Sequence, residues 1–497
     1  MMHKQRKSDR PVVPRKPSNR VGSTAPERVE GRGLAKRNVG EQNRPRTQRR
    51  TRLPSALPRV RQAARRNKEA KFTALFHHVT QESLRTSFMA LSRDAAPGVD
   101  GVTWEQYEQD LEENLEDLHG RLQRGAYRAR PSRRTYIPKA DGRQRPLGVA
   151  ALEDKLVQRS VVEVMNAIYE EDFLGFSYGF RPGRSQHQSL DALATGFARK
   201  RVSWVLDADI RGFFDAIDHG WMMKFVEHRI ADKRILRLIR KWLSAGVVEK
   251  GKWMAAEEGV PQGATVSPLL ANIYLHYVLD LWFQQWRTRH ARGDIIITRY
   301  ADDFIVGFQF HSDAMAFLAA LRERLRKFCL ELHPEKTRLI LFGRFASQMR
   351  MERGLGKPET FNYLGLTHIC GKSKAGHHLL ERHTMRRRMN AKLKEIKLEL
   401  QRRRHLPIPE QGAWLRAVVR GYFAYHAVPT NIYALGRFRT QISWLWHQAL
   451  RRRSQRDRTT WERMKTLVAR WIPPARILHP WPTERFDVNT QGKSPVR

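Results

Sequence analysis

Two pairs of aspartates in this sequence have the types and the setting for metal-assisted chemistry. Asp207 and Asp209 end a short apolar run in WVLDADIRGFFDAIDH (204–219), just ahead of the aromatic pair Phe213-Phe214. Asp302 and Asp303 stand in RYADDFIVGF (299–308), after Ile295-Ile296-Ile297 and before a second apolar run. Acids at the end of a strand are costly unless their charge is used. A lone Asp-Asp pair reads better as an ordinary turn, because Asp hydrogen-bonds its own backbone there. Two clusters together point further. Hard divalent cations take carboxylate oxygens, and nucleotidyl transfer is served by two such ions about 3.5–4 Å apart, one on the attacking hydroxyl and one on the leaving oxygen. Because Mg2+ keeps several waters, two or three aspartates and the substrate's own phosphates complete its shell.

Several elements must position these acids. The apolar runs on either side of Ala301-Asp302 predict a hairpin of two short strands. GVPQGATVSPLLANIYL (259–275) predicts a helix capped by Ser267 with Pro268 in its first turn, Leu269, Leu270, Ile273 and Tyr277 on one side, and a bare Gly-Val-Pro-Gln-Gly backbone ahead of it. RRTYIPKADGRQRPLGV (133–149) predicts a second hairpin turning at Ala140-Asp141-Gly142 between basic flanks. Tyr107, Leu111, Leu115, Leu118 and Leu122 recur at helical spacing, so one amphipathic helix is expected over Trp104 to Leu122. Short apolar runs mixed with longer helical patterns make an α+β domain.

These segments resemble the motifs of the reverse transcriptases encoded by group II introns, which carry an aspartate, an apolar residue and then Phe-Phe-Asp, and later a Tyr-Ala-Asp-Asp turn. The resemblance implies that Asp209 and Asp302 are metal ligands with Asp303 as the third acid, holding two Mg2+ ions or Mn2+ as a substitute. Asp207 is the rival for the first role, but its spacing to Phe214 departs from the family's. By the same likeness Phe214 is the gate under the sugar, Gln262 lies in the nucleotide pocket, and Lys139 and Arg145 of the hairpin bind the triphosphate. Core packing is the competing reading for Phe214, and solvated surface charge for Lys139 and Arg145. YGFRPGRS (178–185), LELHPEKTRLILFG (330–343) and FNYLGLTH (361–368) resemble further family motifs, the second offering Lys336 as a general acid for the leaving pyrophosphate or as a solvated lysine. All seven elements run in family order between residues 133 and 368, and the likeness extends from about residue 70 onward.

The chain has 497 residues, enough for two or three domains. Lys and Arg number 92 against 50 Asp and Glu, and a net charge of +42 calls for a polyanion such as nucleic acid. No apolar run is long enough to span a bilayer, so no membrane partner and a bacterial cytoplasmic location are expected, with the Arg-rich N-terminus leaving an organelle presequence as the alternative. Two cysteines cannot build a zinc finger or a disulfide framework. Residues 1–66 read as a disordered basic arm, 67–375 as fingers and palm, 385–471 as an all-helical thumb/maturase domain, and 472–497 as a short tail or a DNA-contacting remnant. In the helical domain, expected at Met385–Arg404, Trp414–Tyr425 and Phe438–Arg453, Trp444 is taken as core and Arg451, Arg452 and Arg453 as RNA-binding side chains.

The expectation is therefore a right-hand polymerase fold followed by a helical thumb. It would act as an RNA-directed DNA polymerase on an RNA template, a DNA primer or target and deoxynucleoside triphosphates, bind its intron RNA to assist splicing, and support mobility by target-primed synthesis. A non-catalytic splicing cofactor and a domesticated, defence-type enzyme are the alternatives, and the oligomeric state is open. The cysteine count and the short stretch after Trp471 speak against a His-Asn-His endonuclease.

Overall fold

In a computed structural model describing residues 57–138, 144–256, 258–373, 376–454 and 459–490, the apolar runs of the middle sequence become eleven strands: β1 (Ser132–Pro138), β2 (Gln144–Val149), β3 (Trp204–Asp209), β4 (Val247–Glu249), β5 (Lys252–Met254), β6 (Ile295–Tyr300), β7 (Asp303–Phe308), β8 (Arg338–Leu341), β9 (Phe361–Tyr363), β10 (Leu366–Lys372) and β11 (His378–Thr384). They form three sheets, ordered β2-β1-β4-β5, β6-β7-β3-β8 and β11-β10-β9. The central sheet is antiparallel throughout.

Alternation along a strand sends successive side chains to opposite faces, and the central sheet is covered on both. Leu206, Ile297, Phe304 and Val306 face a large core made with the helices Leu152–Asp172, Lys233–Ser244 and Ser267–Leu275. Val205, Ile296, Ile305 and Ile340 face a second core under the helix Gln186–Arg199 and the sheet β9–β11. A third core, with Trp446, Phe438, Leu435 and Met464, lies among the helices Arg386–Arg402, Ile408–His426, Ile432–Arg451 and Trp461–Trp471. Among the described residues no helix is long and apolar enough to cross a membrane.

Several sequence expectations change. The basic arm falls outside the described residues only up to residue 56, because Leu57–Arg66 is a helix: Leu57, Val60 and Ala64 share one face and pack on the large core. Three small apolar residues among arginines left that face hidden in the composition. The single helix expected from Trp104 to Leu122 is two, Trp104–Gln109 and Leu111–Gln123, broken where Asp110 leaves helical geometry. Hydrogen bonds between Tyr107 and Asn114 span the break. Ser267 is not a cap. It is the first helical residue and its hydroxyl donates to the Pro261 carbonyl at 2.9 Å, while Gln158 from a neighbouring helix accepts from the N–H groups of Thr265 and Val266. Pro268 does sit in the first turn, but the helix is buried on all sides.

In the helical region Trp444 is 47% exposed, and Trp446 is the buried tryptophan, its indole N–H bonded to Gln411 at 2.9 Å. Two positions apart on a helix, these side chains point about 200° away from each other, so only one could join the core. The segment read as a tail forms the helix Pro482–Thr490, with Arg485 and Phe486 buried against the helix Gln186–Arg199.

Candidate active site

The register of the central sheet brings the two acidic clusters together. Asp209 is the direct cross-strand partner of Asp303, and Tyr300 pairs with Asp303, so Ala301 and Asp302 form the two-residue turn between β6 and β7. Asp209 and Asp303 therefore lie on one face, where facing residues have Cβ atoms ~4.5–5.5 Å apart and like charges repel. Asp207, two residues back on the same face, pairs with Ile305 and Arg338 instead, and the Arg338 guanidinium lies 3.2 Å from its carboxylate. Burial pushes the Asp207 carboxyl up and Arg338 pulls it back. Asp209 thus stands beside the turn, whereas Asp207 lies two residues further from it and pairs with Arg338 of a neighbouring strand.

The turn is held from behind. Ala301 is buried with φ +59°, a left-handed conformation that costs a non-glycine residue roughly 1–2 kcal/mol. All five N–H donors of the fully buried Arg299 are used: to both oxygens of Asp280 at 2.7 and 2.5 Å, to Ser177 at 2.7 Å, to Asn272 at 3.1 Å, and to the Ala301 carbonyl at 2.9 Å. Burial raises the Asp280 carboxyl and Arg299 draws it down again. Asn272 then donates to the Gly179 carbonyl at 2.7 Å. A Cβ on Gly179 would lie 2.3 Å from the Ala301 nitrogen, so only glycine lets this loop support the turn. Sequence reasoning missed Ser177, Asn272 and Asp280, since their partner is set by folding; the signal available was Arg299 itself, a charge inside an otherwise apolar strand.

Lys336 reaches the same face, its ammonium 2.5 Å from the Asp209 carboxylate, while the His333 N–H donates to the Asp209 carbonyl at 2.7 Å. Among the described residues no three His, Cys, Asp or Glu side chains already converge on one point. The acids nonetheless fit divalent ions. Asp209 and Asp303 face each other across the strands, Asp209 already pairs with one cation, the Lys336 ammonium, and carboxylate oxygen is the donor such ions prefer.

Beside this face, the residues expected at the nucleotide meet. The Arg145 guanidinium donates to the Gln262 side-chain carbonyl at 2.9 Å, and the Gly148 N–H to the Gln262 backbone carbonyl at 2.6 Å. A Cβ on Gly263, at φ +113°, would strike the Gly148 carbonyl at 2.7 Å. The Val260 N–H donates to the Phe214 carbonyl at 2.8 Å, lacing the loop to the turn that follows β3. The Phe214 ring is 8% exposed and meets Phe213 edge-on at 5.4 Å. Lys139 and the turn at 140–142 lie outside the described residues. Of the three C-terminal arginines, Arg451 and Arg452 are exposed, whereas Arg453 donates to the His405 and Leu406 carbonyls at 3.3 and 2.8 Å.

Residues 137–368 match the family model for reverse transcriptase (RNA-dependent DNA polymerase). The chain is 37% identical to Protein YkfC of Escherichia coli, over 49% of this chain and 72% of that protein. It is 34% identical to the group II intron-encoded protein LtrA of Lactococcus lactis, over 48% of this chain and 39% of LtrA. It is also 44% identical to an uncharacterized 91 kDa protein in the cob intron of Schizosaccharomyces pombe, over 29% of this chain and 18% of that one. With the matched segment spanning both aspartate clusters and the loop between them, the chain belongs to the reverse transcriptases of the group II intron reverse transcriptase/maturase type.

Proposed function

We propose that this chain is an active RNA-directed DNA polymerase whose metal-binding face is formed by Asp209, Asp302 and Asp303. The observation that carries the reading is the register: Asp209 opposite Asp303 across β3 and β7, with Asp302 in the turn. In this reading the central sheet is the palm, the sheet β2-β1-β4-β5 the fingers, and the helices from Arg386 onward the thumb.

The three aspartates would hold two Mg2+ ions, which when bound lower the pKa of the primer 3′-hydroxyl and neutralise charge on the leaving pyrophosphate. Arg145 offers a planar guanidinium to the triphosphate, a geometry that matches phosphate oxygens two at a time. Gln262 orients Arg145. Phe214, packed against Phe213 and laced to the 259–263 loop, presents a flat apolar wall where a 2′-hydroxyl would need room. Lys336, paired with Asp209, would serve as the general acid toward the departing pyrophosphate. The exposed Arg451 and Arg452 serve phosphates of intron RNA, which the same protein would bind for splicing and for target-primed synthesis.

Primer extension on an RNA template with Mg2+ tests the reading, comparing the natural chain with Asp302→Ala. Synthesis that disappears in the variant supports it. No synthesis by the natural chain overturns it and leaves RNA binding without catalysis.

A further inference from the structure

The helix Lys233–Ser244 carries basic residues and no acid. Ile235, Leu236, Leu238, Ile239, Trp242 and Leu243 are buried, which forces its cations onto the opposite face. Arg240 pairs with Glu227 at 2.5 Å. Arg234, Arg237 and Lys241 instead line a cavity of about 120 Å3, and Arg124, at the end of the helix Leu111–Gln123, adds a fourth cation. Its apolar lining is Phe76, Leu122, Tyr127 and Leu238. None of the elements that build it contributes a residue to the candidate active site.

Among the described residues no acid lines this cavity. Asp232, which caps the helix, bonds none of these cationic side chains: its two oxygens accept from the backbone N–H groups of Leu75 and Phe76 at 2.7 and 2.8 Å and of Arg234 and Ile235 at 2.9 and 3.4 Å. Among the described residues Arg124 and Arg237 form no ion pair, and both are exposed. Two of the cations are already in place: the Arg234 guanidinium stands 4.4 Å from the centroid of the Phe76 ring, and the Lys241 ammonium donates to the Tyr127 carbonyl. Gly125, at φ +74°, turns the chain so that Arg237 lies alongside it. Four like charges around a partly apolar hollow repel one another unless an anion joins them, and water screens the exposed guanidinium groups more than the partly buried Lys241.

We propose that this hollow binds a phosphate group, and that its source is the backbone of single-stranded RNA. Guanidinium groups converging from two helices suit the tetrahedral oxygens of a phosphodiester. The large cationic excess of the chain favours a polyanion over a small free ligand. The RNA source rests on the reverse transcriptase reading, whereas the phosphate chemistry does not.

The test uses the full chain carrying Arg124→Ala with Arg237→Ala, a second double variant with Arg124→Lys and Arg237→Lys, and a labelled unstructured single-stranded RNA oligonucleotide. For the alanine pair, RNA affinity falls about five- to tenfold near physiological salt, and the dependence of log K on log salt becomes shallower by roughly 0.7 for each phosphate that the protein no longer neutralises. The lysine pair, which keeps the charge, retains most of the affinity. Primer extension at saturating template stays at the natural rate, so a failed polymerase reading would show in the natural chain and not in this comparison. Unchanged affinity and slope in the alanine pair, with inorganic phosphate leaving the melting temperature of the natural chain unmoved, overturn the proposal. If inorganic phosphate raises the melting temperature of the natural chain but not of the alanine pair, while both bind RNA equally, the RNA source is overturned.

Discussion

Beneath the Ala301-Asp302 turn, Arg299 and Asp280 are completely buried, and hydrogen bonds saturate the guanidinium. Among the C-terminal helices the interior is instead Trp446, Phe438, Leu435 and Met464, and Arg451 and Arg452 stand outside. Both regions are rich in arginine, yet they use the charge differently. A buried ion pair is a weak source of stability, because desolvation offsets most of its attraction. Its use beneath the turn is geometric: Arg299 bonds the carbonyl of a left-handed alanine and so sets where Asp302 stands. The helical unit needs no such device. Its cations sit at the surface, where Arg403 pairs with Glu399 and Arg453 bonds the carbonyls of His405 and Leu406, and apolar burial holds it together.

The comparison breaks most sharply at the acids themselves. Asp302→Asn should lower DNA synthesis on the order of 10^3-fold or more, about 4 kcal/mol of transition-state stabilisation, with RNA binding by the C-terminal helices unchanged in a filter assay. Next comes the support. Asp280→Ala strands a buried guanidinium and should cost about 3–5 kcal/mol in urea unfolding. The double change Asp280→Leu with Arg299→Met should recover much of that stability but not the extension rate, because the Ala301 carbonyl loses its donor. Recovery of both would show that the pair does not position the turn.

In the helical unit Trp446→Ala should cost about 3–5 kcal/mol, whereas Trp444→Ala should change stability by no more than about 0.5 kcal/mol. Equal effects would erase the assignment of the two faces. Acid supplies a graded version of the same contrast. Burial holds His276 and His368, both packed around the central sheet, at a pKa of about 3, and His426 of the helical unit is likewise lowered to about 3. Each folded-state value lies below the unfolded value of about 6.5. Stability from these histidines is therefore fully present above pH 6.5 or so and declines as pH falls toward 3, by up to about 1.4 kcal/mol per pH unit for each group. Chemical denaturation between pH 7 and pH 5 measures the slope, and His368→Gln should flatten it.

Much of the candidate site was legible because it depends on local pattern. Apolar runs around Ala301-Asp302 mean a hairpin, and an alternating run ending at Asp209 means a strand with its acid at the edge. What was not legible depended on distant partners. The hold of Asp232 on the backbone of Leu75 and Phe76, the capping of Thr265 and Val266 by Gln158, and the bonding of Arg299 to Asp280 and Ser177 join residues from 19 to 157 positions apart. The helix Leu57–Arg66 was missed because its apolar face is only three residues wide, and composition averages such a face away. Trp444 and Trp446 are both aromatic in one helical pattern, and only the position of Gln411 and the neighbouring helices decided which was buried.

From its sequence alone this protein was determined to carry two aspartate clusters, a large cationic excess and an α+β body followed by helices, since residue type, spacing and net charge act locally or sum over the chain. The tertiary structure decided that Asp209 rather than Asp207 faces Asp303, that a buried arginine holds the turn, and that four cations meet in one hollow. Register and long-range packing make those choices, and neither is a property of any short stretch of chain.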